Sequence, residues 1–323
     1  MENSLRVFVY VVLKGRFRDK WTDTPLQTTD DEQSTIAATA AKRVAQAKGF
    51  GYLGYEISSP LMYLNSGELT RIIMADAHWE FFKPFFRGRK EIIRTKLDEI
   101  ETVRNSLAHF RPLKYDDIEL IKQNVKHAFV GIEKCLQEMT TTYRVVPTNT
   151  VADWYTELSK VGSNRCKIAL YQDSSDQWIR IEITYSSAIL KNYGSHDLRS
   201  IQATNLISPA IIKESPVILS RCTFVTETPH AEIANDKSAR VSKRTSVIFR
   251  KSAILEDHRL IGSELTETLE KIETETDLIQ KDNLARGALI DSVRLWARLR
   301  KSGNSTWWST DTDLLPLNAP VFG

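Results

Sequence analysis

The sequence predicts an α+β protein: an α-helical bundle in the N-terminal part, followed by a mixed α/β C-terminal domain. Three observations carry this expectation. From about Gln33 to Met139 apolar residues recur at helical spacing. Further on, Ile179, Ile181, Ile183 and Tyr185 alternate with Arg180, Glu182 and Thr184, the period of a half-buried strand. Between the two patterns, Thr140-Thr-Thr-Tyr-Arg-Val-Val-Pro147 reads as a linker. The expected divisions are therefore 1–30, an N-terminal strand and linker; 31–145, a helical domain; and 150–323, a mixed domain of unknown role in targeting, regulation or partner binding.

Taken in order, Leu5–Leu13 is expected to be a strand, since its apolar run Val7–Leu13 is rich in β-branched residues. Its apolar run is far short of the ~20 residues that span a bilayer. Lys14, Arg16 and Arg18 follow it where a signal peptide would carry a small-residue cleavage site. Ser59-Pro60 reads as an N-cap with proline at the first helical position. Leu69–Met74 continues helical, and Trp79, Phe81, Phe82, Phe85 and Phe86 form an aromatic cluster. Lys90–Phe110 is the clearest helix, with Ile93, Leu97, Ile100, Val103 and Leu107 as one apolar stripe. Pro112 is expected to end it. Asp116 and Asp117 open another helix, whose stripe is Ile121, Val125, Ala128, Ile132 and Leu136. The two helices predict an antiparallel hairpin at the core of a bundle.

In the second part, Cys166–Gln172 and the strand around Ile181 face each other across Asp173-Ser-Ser-Asp176, which predicts a hairpin. Val217–Val225 and Thr245–Leu255 are further strand candidates. Leu289, Val293, Trp296 and Leu299 fall at helical spacing, with Arg294, Arg298, Arg300 and Lys301 on the same helix. The tail around Asn304 and Trp307-Trp308 reads as a packing or docking element.

Lys and Arg total 44 against 41 Asp and Glu, a net charge of +3 that sits entirely in residues 1–145. This excludes a polybasic binder whose affinity comes from bulk charge. The 3 cysteines contain no C-x-x-C pair, so neither a disulfide framework nor a structural zinc site is expected. His78, His127, His196, His230 and His258 show no metal-ligand spacing. The expectation is a soluble, cytoplasmic protein with no cofactor, no metal and no membrane partner.

The chemistry-bearing stretch ends the first long helix: Arg104-Asn105-Ser106-Leu107-Ala108-His109. At about 100° per residue, Arg104 falls roughly 20° from Ile93 and so points into the apolar stripe, while Glu101, Asn105, Asp98 and His109 form a polar face beside it. An arginine there is costly unless it is paired or faces a polar cleft. One reading pairs Arg104 with Glu101 and lets His109 cap the helix C-terminus. The other is a phosphodiester site: a cation for the phosphate, an imidazole for proton transfer, and an amide for positioning.

The local sequence resembles the HEPN family, in the branch found in RNA quality control and prokaryotic defence. The resemblance rests on Tyr63-Leu-Asn-Ser-Gly-Glu-Leu69, Ile72-Ile73, Trp79, Phe82 and Leu97–Leu113, and covers roughly residues 33–140. The family hallmark is Arg, a polar neighbour, and His after four to six intervening positions. Here four intervene, with Ala before His109 and Arg-Pro-Leu beyond it. The resemblance implies a helical bundle that pairs as a homodimer, with two motifs in one cleft. It also implies metal-independent endoribonuclease activity of the toxin or abortive-infection type. Residue by residue, Arg104 and His109 match the catalytic pair and Asn105 its polar neighbour, with Asp98 and Glu101 expected to support the imidazole. Some members are instead non-catalytic binding modules, antitoxin-like or scaffold components. A regulatory or sensor protein is the expected partner of residues 150–323.

Near the motif, Lys83, Arg87, Arg89, Lys90, Arg94 and Lys96 crowd around a single acid, Glu91, with Phe85 and Phe86 interleaved. Arg87, Arg89, Lys90 and Arg94 are the expected RNA-binding residues, as a backbone track with stacking rings. The competing reading makes the phenylalanines core and the cations a solvated face. Arg240, Lys243, Arg244, Arg250 and Lys251 form a second cluster, read as a solvated face.

Overall fold

A computed structural model describes residues 2–26, 34–49, 60–193, 195–203, 208–235, 238–281, 283, 288–291 and 306–309. The chain forms two compact units, one built on Met1–Thr140 and the other on Thr141–Pro316.

The first unit opens with helix α1, Glu2–Phe17, where the sequence predicts a strand. Leu5 and every residue from Val7 to Lys14 are buried. A segment apolar all round carries no face signal and suits the centre of a bundle as well as a sheet. Packing against helices settles the choice here, because a helix satisfies its own backbone groups where no strand lies alongside to do so. A short antiparallel pair, β1 (Pro25–Leu26) with β2 (Ser34–Thr35), leads into α2, Ile36–Gly49. Pro60 starts a 3-10 turn, Pro60–Tyr63; Ser59 lies outside the described residues. Then come α3 (Ser66–Met74), α4 (Asp76–Phe82), α5 (Lys90–Ala108), α6 (Tyr115–Ala128) and α7 (Val130–Thr140). Helix α1 packs on α3, α4 and α7, and α5 packs on α3 and α6.

Helix α3 begins on a capping box: the Glu68 N–H donates to Asn65 Oδ1 at 2.9 Å and the Asn65 N–H to Glu68 Oε2 at 2.8 Å. The α5 stripe is buried at Ile93, Leu97, Ile100 and Val103, but Leu107 is exposed. The single helix expected after Asp116 is two, broken at Phe129. Gly131 shows why the chain turns there. A Cβ on it would sit 1.7 Å from the Phe85 carbonyl oxygen, so this close approach tolerates only glycine.

The second unit contains α8 (Asp153–Leu158), β3 (Lys167–Gln172), β4 (Trp178–Tyr193), β5 (Ser195–Ala203), α9 (Ser208–Lys213), α10 (Pro216–Arg221), β6 (Cys222–Asn235), β7 (Ser238–Arg250), α11 (Lys251–Gln280), β8 (Ala288–Asp291) and β9 (Thr306–Ser309). The strands form one antiparallel seven-stranded sheet ordered β8-β5-β4-β7-β6-β9, with β3 also on β4. The predicted β3–β4 hairpin is present, in register Leu170 with Ile181. Ile179, Ile181, Ile183 and Tyr185 point into a core closed by Ile261, Leu265 and Ile272 of α11. Two strand expectations are half right. Val217–Val225 is helix α10 up to Arg221 and strand only from Cys222, because the Val217 and Ile218 amides are capped by the Glu264 carboxylate at 2.9 and 2.8 Å. Thr245–Leu255 is strand only to Arg250, and Ile254 belongs to α11. Leu289 lies in strand β8, not in a helix; Val293, Trp296, Leu299 and the four basic residues assigned with them fall outside the described residues. Trp307 and Trp308 are part of β9, which pairs with β6.

Among the described residues no helix is long and apolar enough to cross a membrane, and no cluster of three or more His, Cys, Asp or Glu side chains is arranged to hold a metal ion.

Candidate functional site

The motif occupies the last two turns of α5. Arg104 is half-buried at the rim of a small recess lined by Glu2 and Leu5 of α1, Ser66 and Thr70 of α3, and Leu97 and Glu101 of α5. It does not pair with Glu101. Its Nε donates to Glu2 Oε2 at 3.2 Å, and its Nη1 donates to Asn105 Oδ1 at 3.1 Å. The Arg104 side chain is 39% exposed, so although its helical phase points it toward the apolar stripe it is not buried there. Glu2 also accepts a hydrogen bond from Arg6 Nη2, and the neighbouring Arg104 charge together with burial holds the Arg6 pKa below its ordinary value, burial being the larger cause.

Glu101 faces the start of α3. A Cβ on Gly67 would lie 2.3 Å from its Oε1, so glycine at that position makes room for the carboxylate. Beside it the Ser66 hydroxyl is buried without a hydrogen-bond partner. Asp98 and Glu101 do share a helical face with His109, but at 1.5 Å rise per residue they lie about 16 and 12 Å back along the axis. Charges that far apart across solvent are largely screened. Neither is a neighbour of the imidazole.

His109 is the C-cap residue of α5, with an exposed ring. The helix ends there rather than at Pro112. The Phe110 N–H donates to the Leu107 carbonyl at 3.0 Å and the Arg111 N–H to the Ser106 carbonyl at 2.9 Å, the paired bonds of a Schellman motif. The left-handed position of that motif, usually glycine, is Phe110 at φ +54°, and its ring is 97% exposed. Leu107, Tyr115 and Ile118 are exposed apolar side chains of the same region.

The basic track divides. Phe86 is core and Phe85 is half-buried: their rings meet Phe8 edge-on at 6.1 and 5.1 Å, and Phe86 stacks on Trp79 at 5.9 Å. Phe86 is therefore not available to stack on bases. Lys90 is paired with Asp76 at 2.5 Å and sits 5.9 Å above the Trp79 ring. Arg87, Arg89 and Arg94 are exposed around the N-terminal end of α5, where the helix dipole adds positive potential. Lys90 lies about 21 Å from Arg104 along the helix axis.

In the second unit the other basic cluster is half-buried and engaged at three of its described members. Lys243 pairs with Glu227 at 3.2 Å, Lys251 with Asp176, and Arg250 covers the Trp178 ring at 4.2 Å. Arg244 is exposed. The Arg240 side chain lies outside the described set. His78 is buried, with Nδ1 3.3 Å from the Ile72 carbonyl. Burial, the larger cause, holds its pKa below the ordinary value against that bond. Glu2 and Arg6 escape a reading of the sequence that makes this segment a strand; as a helix, their i,i+4 spacing is the signal that would have found them.

Compared with known proteins, the chain matches no family model, no curated protein and no solved structure.

Proposed function

We propose that the first unit is a HEPN-like domain and that the chain is a metal-independent endoribonuclease of the defence or toxin type, working in the cytoplasm. The observation that carries this reading is the placing of Arg104 near the end of α5 and of His109 at its C-cap, both reaching solvent, with both N–H groups of Arg104 Nη2 unoccupied among the described residues. A guanidinium so placed holds a phosphate and stabilises the charge that builds on it. The 2′-hydroxyl oxygen attacks phosphorus, its proton passes to a His109 imidazole, and the P–O5′ bond breaks as the 5′-oxygen takes up a proton. The products are a 2′,3′-cyclic phosphate and a 5′-hydroxyl, and DNA, lacking the nucleophile, is spared. Asn105 orients the Arg104 fork. Arg87, Arg89 and Arg94 attract the RNA backbone toward the far end of the same helix.

A homodimer is part of the proposal. Its support is the set of exposed apolar side chains Leu107, Phe110, Tyr115 and Ile118 beside the motif, which a second copy would cover. Residues 150–323 would then serve targeting or a regulatory or sensor partner. The same exposed side chains favour the second reading, a non-catalytic binding module that docks another protein there. One experiment separates the two: purified protein incubated with total RNA in EDTA, beside His109→Ala, with mass measured at micromolar concentration. Cleavage that needs His109 and survives EDTA supports the ribonuclease; no cleavage by a folded dimer leaves the binding module.

A further inference from the structure

Glu2 sits on the inner edge of Arg104, and its own position is fixed from behind. One carboxylate oxygen accepts from Arg104 Nε at 3.2 Å and the other from Arg6 Nη2. Arg6 is itself tied to the backbone that leads into α3, with Nε donating to the Leu61 carbonyl at 3.1 Å and Nη2 to the Leu64 carbonyl at 3.0 Å. On the far side, Asn105 Oδ1 accepts from Arg104 Nη1. The guanidinium is thus held at Nε and at Nη1, and among the described residues Nη2 has no hydrogen-bond partner.

We propose that Glu2 is a positioning residue that presents the outer N–H groups of Arg104 to an RNA phosphate. This rests on reading Arg104 as the phosphate-holding group. A free arginine loses about 2 kcal/mol of rotamer entropy when it is fixed on a ligand; one already fixed through Glu2 loses less. The Glu2 charge is shared with Arg6, so it is not spent on Arg104 alone.

The test uses the full chain and a 2′-O-methyl RNA oligonucleotide, which lacks the nucleophile and binds without being cut, at one fixed salt concentration. Glu2→Gln and Glu2→Ala carry the same charge, but only glutamine keeps an acceptor oxygen for Arg104. Alanine should bind about 2- to 12-fold more weakly than glutamine, the 0.5–1.5 kcal/mol typical of immobilising one long side chain. Glutamine should equal or exceed the unmodified protein, since a negative charge has gone. In an Arg104→Gln background the difference between alanine and glutamine should vanish, which a merely structural role would not produce.

Equal binding by the two variants, or a difference that survives Arg104→Gln, overturns the proposal. So does tighter binding by both to the same extent, which would make Glu2 a competitor of the phosphate. Should Glu2→Ala loosen the fold, solvent exchange of the Arg104 Nε–H decides by NMR: slow in the unmodified protein and faster in Glu2→Ala but not Glu2→Gln if the proposal holds, and unchanged in both if it does not. Absence of RNA cleavage beside the expected binding pattern removes the ribonuclease reading and leaves this one standing.

Discussion

Phe110 is held in a backbone conformation that its side chain disfavours, and substitution there has a calculable effect. At φ +54° an L-residue with a Cβ costs roughly 1–2 kcal/mol, which glycine avoids. Glycine gives back about 0.4–1 kcal/mol through the greater freedom of the unfolded chain. With the ring 97% exposed, its removal forfeits almost no packing. Phe110→Ala keeps the strain and loses the ring, so its stability should stay within ±0.5 kcal/mol of the unmodified protein, as for other surface changes. Phe110→Gly should be more stable than Phe110→Ala by about 0.5–1 kcal/mol, or about 1–4 °C in the melting temperature of the first unit. Hydrogen exchange of the α5 amides in the full chain is the suitable assay, because it reports the first unit even if the two units unfold separately. Glycine no more stable than alanine would refute the assignment of left-handed strain at this helix end. The same two variants share the loss of the ring. If both lose dimerisation or RNA cleavage together while glycine alone gains stability, the ring itself is what the strained position is kept for.

Other outcomes follow from the site and the core. His109→Ala should lower RNA cleavage by ~10²–10⁴-fold without unfolding the protein, and EDTA should change nothing. Arg104→Lys should be nearly as damaging, since lysine keeps the charge but loses the fork; full activity in a folded Arg104→Lys protein would remove the phosphate-clamp role. His78, whose pKa burial holds below the ordinary value, binds its proton more readily in the unfolded chain. Stability from this group is therefore present above about pH 6.5 and is lost as pH falls toward the folded value; urea unfolding between pH 7.5 and 5 should show the decline, and His78→Phe should flatten it. Cys166 is fully buried and its thiol is pushed up to about 12, chiefly by burial and secondarily by Glu273. It should resist iodoacetamide at pH 8 in the native protein and react only after unfolding, as mass spectrometry would read.

Much of the architecture was legible from local pattern. The stripe of α5 and the alternation of β4 are periodic, and a period names the element and its apolar face. Ile93, Leu97, Ile100 and Val103, and Ile179, Ile181, Ile183 and Tyr185, are buried as that logic requires. Arg180 on the opposite face of β4 is buried too, so the strand is covered on both sides there and not half-buried. The motif at the end of α5 was legible as well, because Arg104, Asn105 and His109 lie within two turns of one helix. What local pattern does not carry is the identity of a partner distant in the chain. Residues 7–13 are apolar on every side, so only their packing among α3, α4 and α7 makes them a helix. The break at Phe129 answers to the Phe85 carbonyl pressed against Gly131, a contact across 46 positions. Arg104 looked like a charge to be buried or paired with Glu101 one turn back; tertiary structure gave it Glu2, 102 positions away, and turned Glu101 toward Gly67. Helical phase fixes where a side chain points around its axis, and the chain's return path decides what it meets there.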